Sequence, residues 1–147
     1  MKARSQRMKI VVEMAKRDED AAITAFQQAQ KALAAEQKKL SDLNQYYSGY
    51  ENYFSSNQQN LRASDFQNAR LFLQQLSDAK KSQQFQINKI EKLLEEKQNT
   101  WHVSHLKHKS LMDLVERMRR EESLQLSKKE QQIVDEWVNQ KNSDNNT

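Results

Sequence analysis

The chain has 147 residues, one glycine, no proline and no cysteine, with 24 basic against 20 acidic side chains and a net charge of +4. So little turn-forming material leaves almost nothing for β-turns, β-hairpins and strand ends, and the lack of cysteine excludes disulfides and thiolate metal sites. Hydrophobic residues are only 36%, enough for a stripe but not for a thick core. Nearly balanced signs do not make a nucleic-acid footprint, and no apolar run approaches membrane-spanning length.

The opening segment, MKARSQRMKIVVEMAKRDED, has too short an apolar stretch for a signal peptide, which fits a cytoplasmic protein. A sevenfold pattern then starts. From Val12 the steps of seven give Glu19, Phe26, Leu33, Leu40, Tyr47 and Phe54. From Met8 they give Ala15, Ala22, Ala29, Glu36, Leu43 and Tyr50. The two series lie three and four residues apart, the a/d spacing of a coiled coil, and only Glu19 and Glu36 interrupt them. Sustained over this length, the repeat predicts a left-handed supercoil.

Near the end of this first helix comes YYSGYENYF, Tyr46–Phe54, with all four tyrosines and the one glycine. Tyr47, Tyr50 and Phe54 fall on the stripe; Tyr46 and Tyr53 flank it. Gly49 costs about 1 kcal/mol relative to alanine inside a helix. Either a close-approaching partner or a tolerated imperfection accounts for it.

The stretch SSNQQNLRASD, residues 55–65, is the loop-like cluster inside the chain. Ser64 with Gln67 matches a capping box opening the second helix. A second stripe follows from Phe66 through Leu73, Lys80, Ile87, Leu94, Trp101, His108 and Val115. Its companion runs from Ala69 through Leu76, Gln83, Ile90, Lys97, Ser104, Leu111 and Met118. A short connection makes the two helices antiparallel neighbours. The expected fold is all-α, a long antiparallel two-helix coiled-coil hairpin with a longer second helix: helix one about 5–55, loop about 56–64, helix two about 65–138. Pairing about the loop leaves the part beyond roughly Glu116 without a partner. Between Glu122 and Leu126 the stripe takes a four-residue step, a stutter. Ser127 with Glu130 offers another capping match, so a break is expected near Ser123–Ser127. Residues 139–147 are polar and read as a disordered tail.

No catalytic constellation is present, and no cofactor or metal site is expected. His102, His105 and His108 are spaced by three, but the spacing drifts around the helix and no carboxylate lies among them in sequence; His108 is expected to fill a weak stripe position. Basic residues gather where the chain ends meet, interleaved with acids, which suits either a solvated, salt-bridged surface or a mixed-charge tip that enters a protein socket. Phe72 flanks the second stripe, and antiparallel pairing brings it beside Tyr46 and Tyr53. With no third wall to cover them, these rings should be partly exposed. Such a patch suits a protein-binding hot spot, or simply widens the seam.

Two local patterns, Leu43-x-x-Tyr46-x-x-x-Tyr50 and Phe72-x-x-x-Leu76-x-x-Ala79, together with the opening KIVVEMAKRDEDAA, resemble the FliJ family of the bacterial flagellar type III export apparatus. The resemblance covers essentially the whole chain. It implies a non-enzymatic stalk, similar to the antiparallel coiled coil of the ATP synthase gamma subunit, that inserts its terminal end into the hexameric export ATPase ring. It further implies binding to the cytoplasmic domain of the export gate protein FlhA, with the gate-binding role carried onto Leu43, Tyr46, Tyr50, Phe72, Leu76 and Ala79. Lys39 stands where the family often has glutamine, and Gln83 where it often has histidine. At the open end, Arg7, Met8, Val11, Met14, Arg117, Met118 and Arg120 are the residues expected to meet the ring. The family is also linked to escort of substrate chaperones. The implied location is cytoplasmic, peripheral to the inner membrane at the flagellar base, with no nucleic acid as partner. A stalk of a virulence-type secretion system, or a generic structural coiled coil, would share these features.

Overall fold

The computed structural model describes residues 3–60 and 62–146. Position 61 of the expected loop and position 147 of the expected tail lie outside the described residues. Two helices account for nearly all of it: α1, Arg4–Ser56, and α2, Ala63–Asn145, joined through a 3₁₀ turn at Gln58–Asn60. The protein is an all-α helical hairpin whose second helix is the longer. Helix persists over such lengths because alanine, leucine, glutamate, glutamine and lysine dominate. Gly49 sits inside α1 without a left-handed backbone.

The turn between the helices differs in detail from expectation. Asn57 ends α1, its backbone N–H and its side-chain amide both donating to the Tyr53 carbonyl, at 3.1 and 2.9 Å. Helix α2 starts with the Phe66 N–H donating to the Arg62 carbonyl at 3.0 Å. That makes Arg62 the residue before the helix and places Ser64 inside the first turn, so Ser64 and Gln67 do not form the expected capping box. Asp65 supplies the negative charge that suits a helix N-terminus.

Chain contacts divide into two units, residues 1–20 with 102–147, and residues 21–101. In the first unit Ser5 meets Glu122 and Glu19 meets His108. In the second, Phe26 meets Trp101, Glu36 meets Gln83, and Tyr50 meets Phe72. In both, residue numbers rise on one helix as they fall on the other, which is antiparallel pairing. Pairing reaches Glu122, beyond the expected limit near Glu116.

Burial follows the two sevenfold stripes. Among the described residues, Ala15, Ala22 and Ala29 of α1, and Ala69 and Ile87 of α2, are the buried apolar ones, and most other stripe positions are half-buried. Small alanines let the helices approach closely, and larger residues opposite fill the space. Phe26 and Trp101 stack with ring centroids 6.2 Å apart and planes 7° from parallel. Exceptions come near the turn, where Tyr50 and Phe66 remain exposed.

Polar residues that interrupt the stripes are paired across the seam. Glu19 accepts from Nδ1 of His105 at 3.0 Å and meets Nδ1 of His108 at 2.6 Å. His105 in particular holds the Glu19 carboxyl below its ordinary range. The carboxylate that the histidines lack in their own stretch of sequence is thus supplied by the other helix. Among the described residues, no group of ligating side chains is arranged to hold a metal ion. Glu36 takes the Gln83 amide on both its carboxylate and its backbone carbonyl. The Lys80 ammonium lies 4.5 Å from the centre of the Tyr47 ring, a cation–π contact. Ser5 donates its backbone N–H and its hydroxyl to the Glu122 carboxylate, at 3.1 and 2.6 Å, capping α1 from the neighbouring helix. These bonds from Ser5 lower the Glu122 pKa.

Helix α2 runs through Ser123–Ser127 without a break and on to Asn145, where the sequence pattern ended it at 138. No glycine or proline lies in this stretch, and a stutter moves the apolar stripe around the helix without requiring the backbone to stop.

Candidate docking surface around the aromatic cluster

Tyr46, Tyr50 and Tyr53 follow one another at spacings of four and three, so α1 stacks them along one face. Tyr46 is 59% exposed, Tyr53 58% and Tyr50 43%. Gly49 lies among them, and a side chain built there would meet nothing within 4 Å. Packing within the chain therefore does not demand glycine at this position. Its absent side chain leaves an open depression of about 340 Å³ lined by Gln45, Tyr46, Gly49, Tyr50 and Tyr53. Gln45 was not singled out in the sequence, because a lone glutamine on a helix carries no periodic signal.

Tyr50 is the hub of the cluster. Phe72 of α2 meets it edge-on, centroids 4.8 Å apart at 82°, and Phe54 lies against its other side at 6.2 Å. Phe54 also meets Tyr53 edge-on at 5.5 Å. Such contacts suit the quadrupoles of the rings and hold them without full burial. Phe72 is 38% exposed. The expectation that Phe72 would lie beside Tyr46 is corrected in one respect: the ring it touches is Tyr50, a turn further along α1. Tyr50 was also expected inside the seam, whereas its contact with Phe72 leaves one side open.

The six residues marked by resemblance divide accordingly. Tyr46, Tyr50 and Phe72 are exposed, while Leu43, Leu76 and Ala79 are half-buried, Leu43 and Leu76 being stripe positions. The two positions that depart from the family pattern converge on one group. Lys39 places its ammonium 3.2 Å from one Glu36 carboxylate oxygen, and Gln83 donates to the other. The Gln83 bond, with Lys39 adding to it, holds the Glu36 carboxyl below its ordinary range.

A protein-family model described as "Flagellar FliJ protein" matches residues 4–147. The chain belongs to the FliJ family. This makes it a stalk protein of the flagellar export apparatus, from a structural family of cytoplasmic, non-enzymatic components. No curated protein and no solved structure matches this FliJ-family chain. Among its described residues, no helix is long and apolar enough to cross a membrane.

The residues expected at the open end lie in the first unit. Arg7, Val11, Met14, Arg117 and Arg120 are exposed, whereas Met8 and Met118 occupy stripe positions and are half-buried. Arg120 reaches Glu116 one turn before it at 3.4 Å. Met8 and Met118 thus serve the seam first, and the surface of this end is carried by arginines with Val11 and Met14.

Proposed function

We propose that this FliJ-family chain joins the hexameric export ATPase to the export gate, promoting assembly of the ATPase ring and activation of the gate. In this reading the aromatic face docks on the cytoplasmic domain of the gate protein. Tyr46, Tyr50 and Phe72 make the contact, and Leu43, Leu76 and Ala79 hold them in place from behind. The two chain ends, with Arg7, Val11, Met14, Arg117 and Arg120 exposed and Met8 and Met118 half-buried, enter the ring. Docking on a membrane-embedded gate brings the chain to the inner membrane at the flagellar base.

The observation that carries this reading is the exposed tyrosine row over Gly49. Tyrosine is enriched at binding hot spots, where it offers large, rigid contact area at low entropic cost. The depression gives a partner's apolar side chain a seat between the rings, and the helix accepts the conformational cost of glycine to leave it open.

The test is a pull-down of the purified gate cytoplasmic domain with the wild-type chain, with Tyr46→Ala plus Phe72→Ala, and with Arg117→Glu plus Arg120→Glu. The aromatic pair should lose gate binding with helicity unchanged, while retaining stimulation of the ATPase. The arginine pair should do the reverse. Undiminished gate binding by the aromatic pair removes the docking assignment.

A further inference from the structure

Four residues of the aromatic cluster stand at i, i+3, i+4 and i+7: Tyr46, Gly49, Tyr50 and Tyr53. That is the diamond into which a facing helix of a coiled coil sets one side chain. The same four line the open depression of about 340 Å³, with Gln45 at its rim. Gly49 forms the floor, and a methyl built there meets nothing within 4 Å. The diamond belongs to a longer row. Asp42 and Gly49 are seven apart, as are Tyr46 and Tyr53, and the two pairs interleave at steps of four, three and four. This is a second sevenfold seam, turned toward one flank of the first. Helix α2 fills the first seam and borders the second at its edge, where Phe72 meets Tyr50.

Spacing, shape and charge each describe the occupant. Steps of three and four match the side chains of another helix, whereas those of an extended segment repeat at two. The glycine floor makes the hole deep enough for a large apolar side chain, a leucine or an aromatic ring. Asp42, one period before that floor, is half-buried and has no hydrogen bond or ion pair among the described residues. Lys39, one turn before it, gives its ammonium to Glu36 instead, at 3.2 Å. A partly desolvated carboxylate is complemented by a cation on the partner.

We propose that the gate domain meets this face with one amphipathic α-helix, which lies along α1 as a third helix, sets a large apolar side chain into the Gly49 hole and pairs a lysine or arginine seven residues away with Asp42. This rests on the gate-docking reading above and adds to it the form and chemistry of the partner segment. Tyr46 and Tyr53 close over the two ends of the hole, and Phe72 walls it from α2.

Titration of the purified gate cytoplasmic domain with the full-length chain tests it, using wild type, Gly49→Leu and Asp42→Lys. Leucine is a good helix former and fills the hole, so Gly49→Leu should keep its circular dichroism and bind about tenfold more weakly or worse. Asp42→Lys should weaken binding about threefold or more by setting like charges together. The chain has no cysteine, so a benzophenone can be attached singly at Lys38→Cys or Asn52→Cys, both exposed and with Gln45 midway between them. At about 1.5 Å per residue these sites are about 21 Å apart, so their adducts should fall about fourteen residues apart on one helix of the gate domain. An extended strand would place them about six residues apart. Undiminished affinity in Gly49→Leu or in Asp42→Lys overturns the proposal, and so does strand spacing of the adducts. In those cases wild type still binds and Tyr46→Ala plus Phe72→Ala still does not, so the docking reading survives. Wild type that fails to bind the gate domain removes both.

Discussion

Replacing Ile87 by alanine tests where the stability of this hairpin resides. Ile87 is 3% exposed and, among the described residues, is the one buried apolar side chain larger than alanine. The change removes three carbons from the seam, at about 0.8 kcal/mol each for transfer to water, or about 2.4 kcal/mol. A residual cavity adds to this, although a two-helix seam with open flanks relaxes more readily than a closed core. A loss of about 2.5–3.5 kcal/mol is expected. Phe85, two residues away, is the larger side chain but is 60% exposed. Its visible interaction is with the Lys89 ammonium, 4.6 Å from the ring centre, worth about 0.5 kcal/mol at an exposed site. Alanine's better helix propensity offsets that by about as much, so Phe85→Ala should be nearly neutral. Urea unfolding followed by far-ultraviolet circular dichroism compares the two, with equal slopes showing that the unfolded states are alike. If Phe85→Ala destabilises as much as Ile87→Ala, the sevenfold seam is not what holds the helices together.

Acid should loosen the hairpin. The Glu19 carboxyl titrates below its ordinary value of 4.5, chiefly through its bond from His105. Its contribution is present above that ordinary value and is lost as pH falls through the lowered one. Glu36 and Glu122 are lowered likewise, and an acid titration of helicity should flatten in Glu19→Gln. Gly49→Ala should stabilise α1 by about 1 kcal/mol, read by thermal melting, because the added methyl meets nothing; destabilisation would show the site is strained. Ser5→Ala removes one of the two bonds to Glu122, so amide exchange should accelerate in the first turns of α1 while residues 26–33 stay protected; unchanged exchange would mean the cap is not formed in solution.

Much of the architecture was legible because burial in a two-helix protein is a one-dimensional pattern. Two interleaved steps of seven mark the buried stripe, and neither Pro nor Gly interrupts it outside Gly49. Less visible was everything that depends on register. Glu19 and Glu36 look like flaws in sequence, since their partners lie far along the chain and the length of the turn decides which residues meet. The same holds for Ser5 and Glu122, whose pairing depends on how far helix one reaches along helix two. Capping failed as a guide at Ser64 and Ser127 for a local reason: a serine three residues before Gln or Glu is equally at home inside a helix. At the aromatic cluster, composition gave the crowding of rings, but not that Phe72 would settle on Tyr50 and leave the Gly49 depression open.

A repeat of seven has a weakness: sliding one helix past the other by a single period presents nearly the same apolar surface, so the zip alone would let the two strands creep under load. The acid–histidine and acid–amide contacts remove that freedom. A one-period slip in one direction would bring Glu19 against Met112 and Val115 and Glu36 against Ile90, and in the other Glu19 against Gln98 and Trp101 and Glu36 against Leu76, so either slip costs both carboxylates their present partners. The hairpin is therefore keyed as well as zipped, and a push delivered to one helix is handed to the other without backlash.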